Sequence, residues 1–127
     1  MKHSAEYYIE HLEMEPHVEG GYFKECLLEK EERNLWSSIY FMLAKGEVSH
    51  FHRLKSDEVW YYHDGNALTI YMIDEAGKLT AAKLGLDLEK GEVPQVLVPK
   101  GMIFGSAMEE EGFSLVGCMA VSYTHLR

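Results

Sequence analysis

Cysteine is scarce in this sequence, and long apolar runs are missing. The 127 residues include only Cys26 and Cys118, which lie far apart and form no CxxC motif. This spacing argues against a disulfide framework and against a structural zinc site. No apolar run approaches the roughly 20 residues that a membrane-spanning helix needs, and residues 1–6 lack the apolar core of a secretory signal. We therefore expect a cytoplasmic protein with reduced cysteines.

Basic residues are also few: 12 lysines and arginines stand against 21 aspartates and glutamates, which gives a net charge of −9. An acidic surface repels nucleic-acid backbones and anionic lipids, so neither a nucleic acid nor a membrane is expected as a partner. No repeat and no low-complexity tract marks a linker. Because 46% of the residues are hydrophobic, the chain can build one core, and residues 1–127 are predicted to form a single domain.

Turn signals divide the chain into one helix and a series of short strands. The helix is predicted from Ser4, a good N-cap, to about Met14, within an amino-terminal segment of residues 1–15. Its apolar face is expected to consist of Ala5, Tyr8, Ile9 and Leu12. Short strands between Gly, Pro, Asn and Asp turns then predict an all-β sandwich or barrel over residues 22–121, with a jelly roll as the natural arrangement. The expected strands are Tyr22–Leu28, Leu35–Ala44, Val48–Leu54, Glu58–His63, Ala67–Ile73, Lys78–Leu84, Gln95–Val98 and Phe113–Val121.

Residues with chemical potential cluster in two consecutive predicted strands. His50 and His52 are separated by one residue, so strand alternation predicts that both side chains point to the same face. On the next strand, Glu58, Trp60 and Tyr62 share one face by the same rule. If the two strands pair in a barrel, its interior holds imidazoles, a carboxylate and aromatic rings. A purely structural interior avoids such a set, because unpaired buried polar groups are costly.

The spacing of these residues resembles a known family. The pattern Gly-x3-His-x-His-x5-Glu-x6-Gly from Gly46 to Gly65 is similar to the first cupin motif, and Pro99-Lys100-Gly101 is similar to the Pro-x-Gly of the second. Short sequence segments at residues 16–23, 38–41 and 104–106 add to this similarity. Together, they make the chain resemble the small cupin family of type five over roughly residues 10–121. The resemblance implies a double-stranded β-helix, a cupin-type jelly-roll barrel, preceded by a short helix.

The second motif departs from that of metal-binding cupins. Those proteins place a histidine three residues after the glycine of Pro-x-Gly, whereas this chain has Phe104, which we expect to form an apolar wall. We therefore expect no cofactor. The alternative that stays open is one divalent metal ion (Zn, Fe, Mn or Ni) on the three ligands His50, His52 and Glu58.

Three functions are compatible with the sequence. Similarity to metal-free sugar-epimerase cupins implies a metal-independent isomerase or epimerase of a small carbonyl or sugar-like molecule, with His50 or His52 as base, Glu58 as the group that orients it and Tyr62 as proton donor. The alternatives are a metal-dependent dioxygenase or isomerase and a non-enzymatic module that binds a small ligand. The residues expected to contact the small molecule are Trp60, Phe104, Tyr40, Glu19 and Tyr22.

Related cupins are commonly dimers, and a homodimer is expected here. The amino-terminal strand is separated from the rest by a charged loop, so it can extend to a neighbour and cover a sheet edge. The resemblance implies that Glu19 and Tyr22 help to close the pocket near such a partner. Residues 122–127 depart from the family pattern and form an atypical tail to which we assign no function.

Overall fold

The computed structural model describes residues 2–28, 36–53 and 55–121, which form one short α-helix, one 3₁₀ helix (Leu88–Lys90) and eleven strands. The tail at residues 122–127 lies outside the described residues. The elements are α1 (Ala5–His11), β1 (Glu15–Pro16), β2 (Tyr22–Leu28), β3 (Trp36–Ala44), β4 (Val48–Arg53), β5 (Asp57–Gly65), β6 (Leu68–Ile73), β7 (Leu79–Leu84), β8 (Glu92–Val93), β9 (Gln95–Val98), β10 (Ile103–Ala107) and β11 (Phe113–Val121).

The strands form two sheets, as the all-β prediction requires. The larger sheet has the order β1-β2-β3-β11-β5-β9 and the smaller one β4-β10-β6-β7-β8. Neighbouring strands are antiparallel except β7 and β8, which are parallel. Within the described residues, no helix is long and apolar enough to cross a membrane.

The main core lies between the two sheets. Phe41, Leu43 and Val116 from the larger sheet pack with Ile70 and Phe104 from the smaller one, and each is at most 4% exposed. Burying large apolar side chains on both inner faces stabilises the sandwich by about 1.5–3 kcal/mol for each fully buried residue.

A second cluster covers the outer face of the larger sheet. There Met42, Phe113 and Leu115 pack under the helix side chains Ala5, Tyr8, Ile9 and Leu12, which are the face predicted from the sequence. The Ser4 side chain accepts a hydrogen bond from the Tyr7 N–H at 3.1 Å, which caps the helix as expected. The helix ends at His11, earlier than predicted, because Glu13 adopts a positive φ of 56° that turns the chain into β1.

Two features of the sheets differ from what the sequence indicated. First, β4 and β5 do not pair: β4 lies at the edge of the smaller sheet and β5 lies inside the larger one. Second, β10 was not predicted, although it lies between β4 and β6. It is short and has Gly105 at its centre, and glycine gives a weak strand signal. This glycine is needed, because a Cβ there would lie 2.8 Å from the Ser49 carbonyl oxygen.

The amino-terminal strand is paired within the chain. β2 runs antiparallel to β3 from the pair Tyr22 and Met42 to the pair Leu28 and Ser37. The short strand β1 then forms the edge of the larger sheet. In the single chain this segment completes its own sheet, and its extension to a neighbour stays a prediction.

Asp64 anchors the amino-terminal segment to the barrel. Its Oδ2 accepts hydrogen bonds from the Tyr8 hydroxyl and from the Lys2 backbone N–H, both at 2.7 Å, and its Oδ1 accepts one from the Gly65 N–H at 2.8 Å. Burial alone raises the pKa of this carboxyl. The hydrogen bonds from Tyr8, Lys2 and Gly65 outweigh that effect and lower the pKa of Asp64 to about 2.

Replacing Asp64→Asn is expected to lower the free energy of unfolding by about 1.5–3 kcal/mol near neutral pH, since charged acceptors make the stronger hydrogen bonds. The carboxylate contributes fully above its unfolded pKa of about 3.9, and its contribution falls as the pH drops toward about 2. Urea unfolding at a series of pH values measures both effects. The exposed turn variant Glu75→Gln is the control, and equal stability of Asp64→Asn and wild type near neutral pH would contradict this role.

Candidate functional site

A pocket of about 330 Å³, a volume that includes solvent at its mouth, opens between the two sheets. It is lined by strands of the larger sheet, by β4 and β10 of the smaller sheet, and by the turn that follows β1. The lining residues are His17, Glu19, Ile39, Phe41, Ser49, His52, Glu58, Trp60, Phe104 and Cys118. The pocket therefore combines two imidazoles and two carboxylates with apolar and aromatic walls.

Glu58 and Trp60 enter the pocket from β5 because they alternate onto its inner face. The Trp60 indole N–H donates a hydrogen bond to Glu58 Oε1 at 2.7 Å, which fixes the carboxyl group. Burial raises the pKa of Glu58, while the Trp60 hydrogen bond and the nearby His52 lower it in part. The site thus holds a carboxyl group that burial makes costly to ionise. A positive charge on the nearby His52 imidazole favours the ionised form of this carboxyl group.

His52 reaches the pocket through a bulge in β4. His52 pairs with Phe104 of β10 and Ser49 pairs with Ser106, so two residues of β4, His50 and Phe51, lie opposite the single Gly105. Ser49 and His52 both line the pocket, whereas His50 and Phe51 are exposed. The prediction that His50 and His52 share one face is therefore wrong. The bulge adds one residue to β4 at this point, which interrupts the alternation of side chains between the two faces.

The backbone of His50 sets the tautomer of His52. The Nδ1 atom of His52 lies 3.0 Å from the His50 carbonyl oxygen. A carbonyl can only accept, so the neutral ring carries its proton on Nδ1 and donates it to that oxygen. The Nε2 atom of His52 is then an acceptor, which is the state that a general base needs.

His17 presents the opposite tautomer. Its Nδ1 accepts a hydrogen bond from the Glu19 backbone N–H at 2.9 Å, so the neutral ring carries its proton on Nε2. Burial lowers the pKa of His17, and the opposing effect of Glu19 does not cancel this. The proximity of His52 lowers it as well. The pocket therefore contains a neutral N–H donor in addition to the acceptor on His52.

The turn that carries His17 is docked on the edge of β4. The Glu19 carbonyl accepts a hydrogen bond from the His50 N–H at 2.9 Å. Gly20 has a φ of +114°, and a Cβ there would lie 2.0 Å from the Val48 carbonyl oxygen. Only glycine allows this approach, and the approach brings His17 and Glu19 to the mouth of the pocket.

Five of the nine residues predicted for the site line the pocket, and four do not. His52, Glu58, Trp60, Phe104 and Glu19 line one pocket. The others, His50, Tyr62, Tyr40 and Tyr22, do not line it.

The tyrosines lie elsewhere for identifiable reasons. Tyr62 shares the inner face with Trp60, but its hydroxyl donates to the Gly65 carbonyl at 2.5 Å and it lines a different surface cavity. Tyr40 and Tyr22 belong to the cluster on the outer face under the helix. Their strand neighbours point inward instead, and one of them, Ile39, lines the pocket.

Sequence reasoning missed His17 as a site residue. It lies in a phrase that supports the family resemblance, directly before Val-Glu-Gly-Gly, but it belongs to a turn and follows no strand periodicity. Two adjacent glycines were a signal that the chain approaches another backbone closely. Which strand that turn approaches depends on tertiary structure alone.

The proposed metal ligands do not converge. Among the residues that the structure describes, no group of three His, Cys, Asp or Glu side chains is arranged to hold a metal ion. His50 points away from the pocket that contains His52 and Glu58, so the three-ligand set predicted as an alternative does not fit this geometry.

Comparisons with known proteins agree with this architecture. A protein of Shewanella oneidensis is 58% identical with a TM-score of 0.89, over 94% of this chain and 78% of that one. A protein of Leishmania major that is described as hypothetical is 33% identical with a TM-score of 0.85, over 94% of this chain and 81% of that one. Bacillus subtilis oxalate decarboxylase is 20% identical with a TM-score of 0.65, over 87% of this chain and 27% of that one, which is evidence for the fold alone.

No curated protein matches this chain. The profile of the family described as Cupin superfamily (DUF985) matches residues 6–122, nearly the whole chain. This match confirms the resemblance and the jelly-roll barrel that were predicted from the sequence. The chain belongs to the cupin superfamily, in the family with that description.

Proposed function

We propose that this cupin transfers protons in a small carbonyl or sugar-like molecule, as a metal-independent isomerase or epimerase. The observation that carries the proposal is the orientation of His52, whose Nδ1 is hydrogen-bonded to the His50 carbonyl and whose Nε2 is left to accept a proton. His52 lies in the same pocket as Glu58, whose carboxyl group interacts with it electrostatically.

In this reaction His52 removes a proton from the carbon next to a carbonyl group. The imidazolium that forms is stabilised by the Glu58 carboxylate, which Trp60 holds in position at 2.7 Å. In an isomerisation His52 delivers a proton to the neighbouring carbon on the same face of the enediolate, and the hydroxyl proton passes to the former carbonyl oxygen. In an epimerisation the planar enediolate turns over before His52 returns a proton to the original carbon. While the proton is on His52 it exchanges with solvent. A base and a carboxylate therefore complete the cycle without any change of oxidation state in the protein.

The walls of the pocket suit a small molecule with one apolar side. The rings of Trp60 and Phe104 are perpendicular, with centroids 6.0 Å apart, and Phe41 packs edge-on against Trp60 at 5.8 Å. These rings are at most 4% exposed, so they form a dry apolar wall on one side of the pocket. Tyr62 has no part in the proposal, since it is hydrogen-bonded elsewhere.

A second candidate is a binding module without turnover. Its support is the set of aromatic walls, which can hold a ligand whether or not His52 acts as a base. Ligand-induced stabilisation without exchange of any substrate proton would favour it over the enzyme.

The variant His52→Gln is expected to lower proton exchange by about 10²-fold or more, because it removes the base and keeps a polar side chain. Exchange is measured by proton NMR in deuterated water, as the loss of the signals next to the carbonyl of dihydroxyacetone, fructose and glucose. His63→Gln, on the outer face beside Tyr40, is the matched control. Equal exchange rates in wild type and His52→Gln would rule out His52 as the base.

The variant Glu58→Gln is expected to lower the exchange rate about tenfold or more without lowering Tm. The amide retains an oxygen that accepts the Trp60 hydrogen bond. It also removes a carboxyl group whose ionisation burial makes costly, as the raised pKa of Glu58 indicates. Calorimetry and the exchange assay on the same samples separate the two effects. A lower Tm together with unchanged exchange would show that Glu58 is structural.

We also propose that the protein is a cytoplasmic homodimer. The free cysteines and the acidic net charge support that location. β4 forms the edge of the smaller sheet and exposes Phe51 and Val48, at 53% and 45% of their surface. Exposed apolar side chains on an edge strand favour association with another chain.

Light scattering at micromolar concentration is expected to give twice the mass of the chain, and Phe51→Asp is expected to shift the protein toward the monomer, because a charge on that edge opposes association. A wild-type mass equal to that of one chain would contradict the dimer. The Leu79→Asp variant, exposed on another strand, serves as the control for a non-specific effect of charge.

A further inference from the structure

We propose that His17 is a second catalytic residue, which donates the N–H of Nε2 to the carbonyl oxygen of the substrate while His52 acts on the neighbouring carbon. The assignment rests on the proposed proton-transfer function for the reaction itself. It defines the class of ligand: a small hydroxycarbonyl compound that offers an acceptor to His17 and an acidic C–H or a hydroxyl group to His52.

The backbone links the two imidazoles through three hydrogen bonds. The Glu19 N–H donates to His17 Nδ1 at 2.9 Å, the His50 N–H donates to the Glu19 carbonyl at 2.9 Å, and His52 Nδ1 lies 3.0 Å from the His50 carbonyl. Peptide groups have a fixed donor and a fixed acceptor. These hydrogen bonds therefore fix opposite tautomers. In each ring Nδ1 faces the backbone, so Nε2 of His17 is a donor and Nε2 of His52 is an acceptor.

Two phenylalanine rings and the backbone of the turn hold the ring of His17 in place. Phe23 and Phe41 contact it edge-on at centroid distances of 4.8 and 5.7 Å, with interplanar angles of 83° and 81°. The His17 backbone N–H also donates to the Gly21 carbonyl at 2.9 Å, which closes the turn. Within the described part of the chain, Nε2 of His17 has no hydrogen-bond partner, although the residue lines the pocket. A positioned donor of this kind is suited to a substrate oxygen.

The neutral state of His17 matches this role. Burial lowers its pKa, and the groups near it act in opposite directions: Glu19 raises the pKa and His52 lowers it. A neutral imidazole donates a hydrogen bond to a developing enolate without losing its own proton, as a positioned electrophile does.

The step balances with the two imidazoles and the substrate alone. The C–H bond breaks and its proton goes to His52 Nε2, while the electron pair forms the carbon–carbon double bond. The electrons of the carbonyl π bond move to the oxygen, where the His17 N–H stabilises the negative charge. His52 then returns the proton to carbon, so neither an oxidant nor a reductant is consumed.

The tautomers are tested first, without any ligand. Long-range proton–nitrogen NMR correlations at about pH 8, above the ordinary histidine pKa of about 6.5, distinguish which ring nitrogen carries the proton. We expect a protonated Nε2 in His17 and a protonated Nδ1 in His52. The same tautomer in both rings would overturn the proposal.

The role toward a ligand is tested with dihydroxyacetone at up to about 100 mM, a range that detects weak binding. We expect its addition to shift the NMR signals of both His17 and His52 rings. His17→Phe keeps the size of the ring but removes the donor, so it is expected to weaken binding and to slow exchange about tenfold or more. His17→Gln retains an N–H donor and is expected to recover part of both, with His63→Phe as the matched control.

The outcomes separate this proposal from the function on which it rests. Binding of dihydroxyacetone that needs the His17 donor, without proton exchange, would reject the enzyme and retain His17 as the oxygen-binding group. Exchange that His17→Phe leaves unchanged would retain the enzyme and reject His17. No shift at the His17 ring on adding dihydroxyacetone would also reject it.

Discussion

The docking of the turn at residues 17–21 on the edge of β4 is the interaction on which the pocket depends. The backbone of one residue carries it: the His50 N–H donates to the Glu19 carbonyl, and the His50 carbonyl faces the ring of His52. The turn closes the gap between the larger sheet and the edge of the smaller one. His50, whose side chain points outward, thus builds the site through its backbone, and Gly20 permits the approach.

The pocket is polar on one side and tightly packed on the other. Trp60 and Phe104 belong to the main core and also form pocket walls, so the rigidity of the core is transferred to the site. The Glu58 carboxyl pays a desolvation cost there, which Trp60 offsets only in part. A site that keeps a buried carboxyl group beside an imidazole gives up some stability, which is common where protonation is used in chemistry.

The strands and part of the site were predictable, because both follow from local periodicity. Gln95–Val98 and Phe113–Val121 have the predicted bounds, and the helix face packs as expected. Alternation correctly placed Glu58 and Trp60 together, since β5 is regular over that stretch. Alternation failed for His50, because a bulge opposite Gly105 adds one residue to β4. No local sequence pattern indicated that bulge. Sequence similarity indicated the family, but not which of its tyrosines face inward.

The sequence by itself determined the fold class, the family and the presence of a histidine, a glutamate and aromatic rings on two consecutive strands. These follow from the alternation of side chains along a strand and from the spacing of motifs, and both can be read from the sequence alone. Tertiary structure alone decided that β4 faces β5 across the sandwich, that His17 joins the pocket and that the two imidazoles take opposite tautomers. The physical reason is that these features depend on hydrogen bonds between backbone groups far apart in sequence, whose partners only the folded chain brings together.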